Sequence, residues 1–125
     1  SLYSQEEKKF HKFPIGVILS VIAADINDLR SGLDLKSIRN FIGKIFPQLH
    51  LRSRELEKFL QQIVTIQLNS NVHPAILEYN IGKRKLQIVD KHFFLWLANK
   101  SIIDILDELD MEDEVELKTK TIMNI

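Results

Sequence analysis

The sequence contains no cysteine, and that absence excludes several kinds of chemistry at once. Disulfide bonds, thiol nucleophiles and thiolate metal sites all depend on the cysteine sulfur atom. A protein without disulfides fits a reducing compartment, and we expect a cytoplasmic location. Glycine is also scarce, and the four glycines do not cluster into a loop that would bind phosphate.

Membrane segments and reactive clusters are missing as well. No apolar run approaches the roughly 18 residues that cross a bilayer, and no basic segment followed by an apolar one marks a signal peptide. The four histidines contain no pair at i, i+4 spacing; they are His11, His50, His73 and His92. No nucleophile is paired with a base in a recognisable motif. We therefore expect a protein with no membrane contact, no metal, no cofactor and no catalytic site of its own.

What is present suits a single globular domain. The chain of 125 residues is 45% hydrophobic and 27% charged, which is enough for one continuous core. It begins with Ser1 rather than Met, and we expect it to be part of a larger gene product. Residues 1–13 are interpreted as a lead-in or cloning remnant, residues 14–110 as the domain, and residues 111–125 as an acidic to mixed tail.

Apolar spacing predicts three helices in the first half of the chain. Pro14 suits the first turn of a helix, because the N–H that proline lacks would be unpaired there. Asp34 and Ser53 are candidate N-caps of the second and third helices, and Pro47 ends the second. The residues expected to face the core are Ile15, Ile18, Leu19, Ile22 and Ile26, then Leu35, Ile38, Phe41, Ile42 and Ile45, then Leu56, Phe59, Leu60, Ile63 and Val64.

The pattern then changes to that of a β-hairpin. Residues 64–68 fit either a helix end or a short strand. Residues 75–80 and 85–89 are rich in strand-forming side chains on either side of Gly82. Asp90 is expected to cap a fourth helix that packs through Phe93, Phe94 and Leu97. The predicted order of elements is therefore three helices, a hairpin and a fourth helix. This is the order of an α+β winged-helix domain, in which the second and third helices form a helix-turn-helix.

Charge is balanced over the whole chain but separated along it. Lysine plus arginine and aspartate plus glutamate are both 17. Residues 35–91 hold ten bases and four acids, a net charge of +6, whereas residues 104–116 hold eight acids and no base. In a winged helix the basic segments would meet double-stranded DNA. The candidate contacts are Arg52, Arg54, Lys58, Lys83, Arg84 and Lys85, with Lys36, Arg39 and Lys44 as outer phosphate contacts.

The sequence leaves a second interpretation open. Bases on exposed helix faces are often only solvated, and lysines on a hairpin discourage edge pairing. Glu55 and Glu57 would repel phosphate if they faced it. The alternative is a surface that binds another domain of the same chain or a separate protein. Its candidate residues are Trp96, Ile102 and Leu106, since an exposed tryptophan is often part of a protein contact.

One stretch resembles a known family. Residues 85–97 combine a β-rich strand, Asp90, two further residues, the aromatic pair Phe93-Phe94 and an apolar helix. This resembles the winged-helix domain that follows the nucleotide-binding module in archaeal-type and STAND-class ATPases. Members of that group commonly have proline after the aspartate, where this chain has Lys91. The resemblance implies a regulatory domain attached to an ATPase, which couples nucleotide state to DNA or protein contact.

Overall fold

The computed structural model describes residues 5–99 together with residues 104–105, 107, 118–119 and 121, with side chains from Lys12 onward. Six helices and three strands lie within residues 5–99, so the α+β class is confirmed. The helices are α1 (Gln5–Ala23), α2 (Ile26–Ser31), α3 (Leu35–Ile45), α4 (Ser53–Leu60), α5 (Ile63–Asn69) and α6 (Lys91–Asn99). The strands are β1 (Leu33–Asp34), β2 (Leu77–Asn80) and β3 (Lys85–Ile88), and one 3₁₀ turn covers Pro47–Leu49.

The first helix begins earlier than predicted. Helix α1 starts at Gln5, so residues 5–13 are helical and Pro14 lies inside the helix instead of in its first turn. Burial explains the difference, because Phe13 and Val17 are one helical turn apart and both enter the core. Ile18, predicted to face the core, is 42% exposed and lies on the outer side of α1.

Helix α1 also ends earlier than predicted, and a short segment follows that sequence reasoning missed. Ile26 belongs to α2, whose N-cap Asp25 accepts a hydrogen bond from the Asn27 N–H at 3.2 Å. Gly32 then turns the chain with φ of +95°, a conformation that favours glycine. The two-residue strand β1 follows and joins the sheet.

The second and third predicted helices form, with altered caps. Helix α3 covers its predicted range and ends before Pro47. Asp34 is its N-cap by position, but in the described part of the chain its carboxylate makes no capping hydrogen bond. The predicted Ser53 cap is wrong, because Ser53 is the first residue of α4 and Arg52 is the N-cap. The third helix is interrupted at residues 61–62, which makes residues 64–68 part of α5.

The sheet is antiparallel with the order β1-β3-β2, so the last strand along the chain lies in the centre. Strands β2 and β3 form the predicted hairpin, with Tyr79 opposite Leu86. Strand β1 pairs with β3 through Leu33 opposite Leu86. The predicted Asp90 cap of α6 is confirmed, because the Phe93 N–H donates to Asp90 Oδ1 at 2.9 Å.

The main core of the described residues lies between the helices and the sheet. Helices α1 and α3 cross closely at Gly16, where an added Cβ would lie 2.8 Å from Cγ1 of Ile42. The rings of Phe13 and Phe59 meet edge to face at 5.3 Å and join α1 to α4. Predicted core residues such as Ile38, Ile42, Leu56 and Leu60 are almost fully buried, whereas Val64 is 37% exposed. Leu86 brings the sheet into the same cluster.

Candidate nucleic-acid interface

Helix α4 presents one polar stripe to solvent. Arg54 and Lys58 are exposed and one helical turn apart, and Gln61 continues the stripe just beyond the end of the helix. Leu56, Phe59 and Leu60 occupy the opposite side and are buried. This alternation holds α4 on the core and leaves two cations and an amide pointing outward.

The turn of the hairpin, residues 81–84, is fixed by hydrogen bonds at both of its ends. Asn80 Oδ1 accepts from the Lys83 N–H at 3.0 Å, and the Arg84 N–H donates to the Ile81 carbonyl at 3.3 Å. Arg84 has φ of +53°, in the left-handed region that arginine seldom occupies. Its carbonyl accepts from the Leu35 N–H at 3.1 Å, which ties the turn to the start of α3.

Glu57 connects this turn to α4. Its Oε2 atom accepts a hydrogen bond from the Tyr79 hydroxyl at 2.5 Å and lies 3.6 Å from Nε of Arg84. The Glu57 side chain is only 20% exposed, whereas that of Arg84 is 70% exposed. Burial, and then the bond to Glu57, raises the pKa of Tyr79 above its usual value. The sequence analysis treated Glu57 as a residue that would repel phosphate. In the structure Glu57 faces the hairpin and lies beside the Arg84 guanidinium.

The three bases predicted on the hairpin, Lys83, Arg84 and Lys85, lie on two different parts of the surface. Lys83 and Arg84 are exposed at the turn. Lys85 is half-buried, and its Nζ lies 3.5 Å from the Ser31 carbonyl, on the α2 side. Lys85 lines a cavity of about 400 Å³ between α1, α2, β1 and α3. The structure thus brings Lys83 and Arg84 together and directs Lys85 elsewhere.

A second group of bases surrounds a shallow depression between α3 and the start of α4. Arg39, Lys44 and Arg52 line it, and its volume is about 610 Å³. The Arg39 Nε donates to the Leu51 carbonyl at 3.1 Å, which holds the guanidinium across the connection. His50, which the sequence did not single out as a site residue, also lines the depression. Lys36 is exposed near the start of α3 and is not among the lining residues.

The alternative surface lies around α6. Trp96 is half-buried and stacks on Phe93 with ring centroids 5.7 Å apart. The more exposed apolar side chains nearby are Leu95, at 56%, and Val89, at 48%, which sequence reasoning missed. Both line a depression of about 380 Å³ that Leu29, Ile88 and Phe94 also line. The predicted contacts Ile102 and Leu106 lie outside the described residues, whereas Ile105 is buried in the core.

Comparison with known proteins does not assign this chain to a family. No family model, no curated protein and no solved structure matches this chain. Among the described residues, none of the helices is long and apolar enough to cross a membrane. Within the same residues, no group of three or more histidine, aspartate or glutamate side chains is placed to hold a metal ion.

Proposed function

We propose that this chain is a winged-helix domain that binds double-stranded DNA through α4 and the hairpin turn. The order of elements supports the winged-helix assignment. Helices α1 and α2 precede β1, helices α3 to α5 follow it, and β2 and β3 form the hairpin. In this arrangement α3 and α4 are the helix-turn-helix, and residues 81–84 are the tip of the wing.

The observation that carries the proposal is the junction of two exposed basic segments. Glu57 lies on α4 between the exposed Arg54 and Lys58, and it contacts Arg84 of the hairpin turn. The stripe of α4 and the turn therefore border one another on a single surface. An α-helix fits the major groove of B-DNA, which is about 12 Å wide, and flanking cations then neutralise phosphates.

The surface also explains how a neutral chain binds a polyanion. Affinity for phosphate depends on local cations and on the counterions they displace from DNA, rather than on net charge. Arg39, Lys44 and Arg52 extend the basic surface beyond the N-terminus of α4. Gln61 adds a side chain able to hydrogen-bond base edges.

The test is a fluorescence-anisotropy titration of a mixed-sequence duplex at two salt concentrations. We expect binding that weakens steeply as salt rises. Arg54→Ala with Lys58→Ala should weaken binding about tenfold or more and flatten the salt slope by about two. Arg30→Ala with Lys91→Ala is the matched control, since it removes the same charge from exposed bases near α6. Equal effects of the two pairs, or no binding of the unaltered chain at low salt, would overturn the proposal.

A second candidate function rests on the exposed apolar patch of Val89 and Leu95. Two large side chains exposed by about half, beside Phe94, are typical of a protein contact. The partner would be another domain of the same protein or a separate chain, in keeping with the resemblance to domains attached to ATPases. A cytoplasmic location and the lack of catalytic activity in this chain belong to both proposals.

A further inference from the structure

The hairpin turn holds an arginine where the backbone favours glycine or asparagine. The left-handed φ of Arg84 carries a steric cost for a side chain with a Cβ. Such a cost persists where surrounding contacts fix the residue, and it concentrates at functional positions. Two backbone contacts fix Arg84, from its N–H to the Ile81 carbonyl and from the Leu35 N–H to its own carbonyl, and its guanidinium lies beside Glu57.

Glu57 and Arg84 are unequal partners. Glu57 is mostly buried and has a second bond from Tyr79, so its carboxylate stays in place when Arg84 moves away. Arg84 is mostly exposed, and its ion pair with Glu57 spans 3.6 Å. A pair of this kind is weak and exchangeable, because solvent screens it and a long side chain loses freedom when it forms.

We propose that Glu57 lowers the affinity of the domain for nucleic-acid phosphate by holding the Arg84 guanidinium in the free protein. This inference rests on the proposed function. A phosphate that binds Arg84 must replace the Glu57 carboxylate as its partner, and the carboxylate left behind repels the incoming anion. Glu57 is therefore a positioning residue that sets how tightly any duplex is held, whatever its sequence.

The partner exchange makes a quantitative prediction for Glu57→Gln. This substitution removes the negative charge, while the amide oxygen can still accept the Tyr79 hydroxyl hydrogen bond. We expect binding of a mixed-sequence duplex about two- to fivefold tighter. The gain should be similar for unrelated duplex sequences, because phosphate contacts carry no sequence information.

A double-mutant cycle separates partner exchange from a change in net charge. Arg84→Asn removes the cation, and asparagine tolerates the left-handed backbone. In the Arg84→Asn background Glu57→Gln should lose most of its effect. Glu78→Gln, an exposed position on β2, changes the net charge equally and should leave affinity within about twofold. Anisotropy titrations of all five proteins, at one low and one moderate salt concentration, measure the cycle.

The outcomes distinguish this inference from the function on which it rests. An unaltered chain that does not bind duplex at low salt overturns the proposed function. Binding by the unaltered chain with unchanged or weaker binding by Glu57→Gln overturns only the role of Glu57. The role of Glu57 is also overturned if Glu57→Gln still tightens duplex binding in the Arg84→Asn background, or if Glu78→Gln tightens it equally. Thermal unfolding of each variant shows whether a loss of binding reflects a loss of folding instead.

Discussion

The two ends of the β2–β3 hairpin are both fastened to helices, but by different chemistry. At the turn end a carboxylate, Glu57, contacts a tyrosine hydroxyl and an exposed arginine. At the open end a neutral amide, Gln67 of α5, makes hydrogen bonds to the Ile76 and Leu77 N–H groups and to the Leu77 carbonyl. The Arg84 side of the charged contact is open to solvent and exchangeable, whereas the Gln67 bonds are neutral and part-buried.

The residues around the two ends of the hairpin also differ, being charged at the turn end and apolar at the open end. The turn end borders the exposed cations of α4. The open end continues into Val89, whose N–H donates to the Ile76 carbonyl at 2.8 Å, and into the apolar patch beside α6. The turn end of the hairpin is therefore polar and cationic, and the open end is apolar.

The largest expected effect is at Gln67. Gln67→Ala leaves the Ile76 and Leu77 N–H groups without their acceptor and removes the bonds to the Leu77 and Ile63 carbonyls. Because these groups are partly buried, we expect a loss of about 2–3 kcal/mol in the free energy of unfolding, measured by urea denaturation. Gln61→Ala, at an exposed position, is the control and should cost less than about 0.5 kcal/mol. A similar small loss for both would show that the amide does not fasten the hairpin.

A smaller effect is expected at Tyr79, and it depends on pH. Tyr79→Phe removes the hydrogen bond to Glu57 and should cost about 1 kcal/mol at neutral pH. The pKa of Tyr79 is raised in the folded protein, so its contribution is fully present below pH about 10, the usual tyrosine pKa, and is lost as the pH rises further. Unfolding measured between pH 8 and about 11 should therefore show a shallower alkaline loss of stability in Tyr79→Phe. An alkaline slope identical in both proteins would contradict the assignment.

The smallest effect on stability is expected at the apolar patch. Val89→Ser with Leu95→Ser should change the free energy of unfolding by less than about 1 kcal/mol, because both side chains are about half exposed. Sedimentation of the unaltered chain tests whether the patch joins two copies. Self-association that the double substitution abolishes would support the second candidate function for a second copy of this chain. Duplex binding should be unchanged, and weakened duplex binding would show that the two surfaces are not separate.

The parts of the fold that the sequence predicts are those whose signals are local. Helix α3 and the hairpin have complete periodic patterns, and Asp90 caps α6 three residues before its partner N–H. Strand β1 has only two residues and exists because β3 lies beside it. The spacing of Phe13 and Val17 is helical and indicated the early start of α1. The sequence analysis instead placed the start of the helix at Pro14, because proline is common in the first turn.

Part of the candidate site can likewise be predicted from local sequence, and part depends on how distant elements pack. The exposed positions of Arg54 and Lys58 follow from helical periodicity alone. The separation of Lys85 from Lys83 and Arg84 depends on the packing of α2 against β3, which no local pattern encodes. Likewise, Glu57 contacts residues 22 and 27 positions further along the chain, and its role emerges only when α4 and the hairpin are assembled.

The hydrogen bond from the Leu35 N–H to the Arg84 carbonyl has a consequence for the speed of the proposed duplex binding. It joins the backbone of the hairpin turn to the first residue of α3, so the two elements approach a ligand as one unit. A surface whose backbone is already in its bound arrangement loses little further freedom on docking. For the proposed duplex binding, association should then need no rearrangement of the turn's backbone, and its rate constant should rise as salt is diluted.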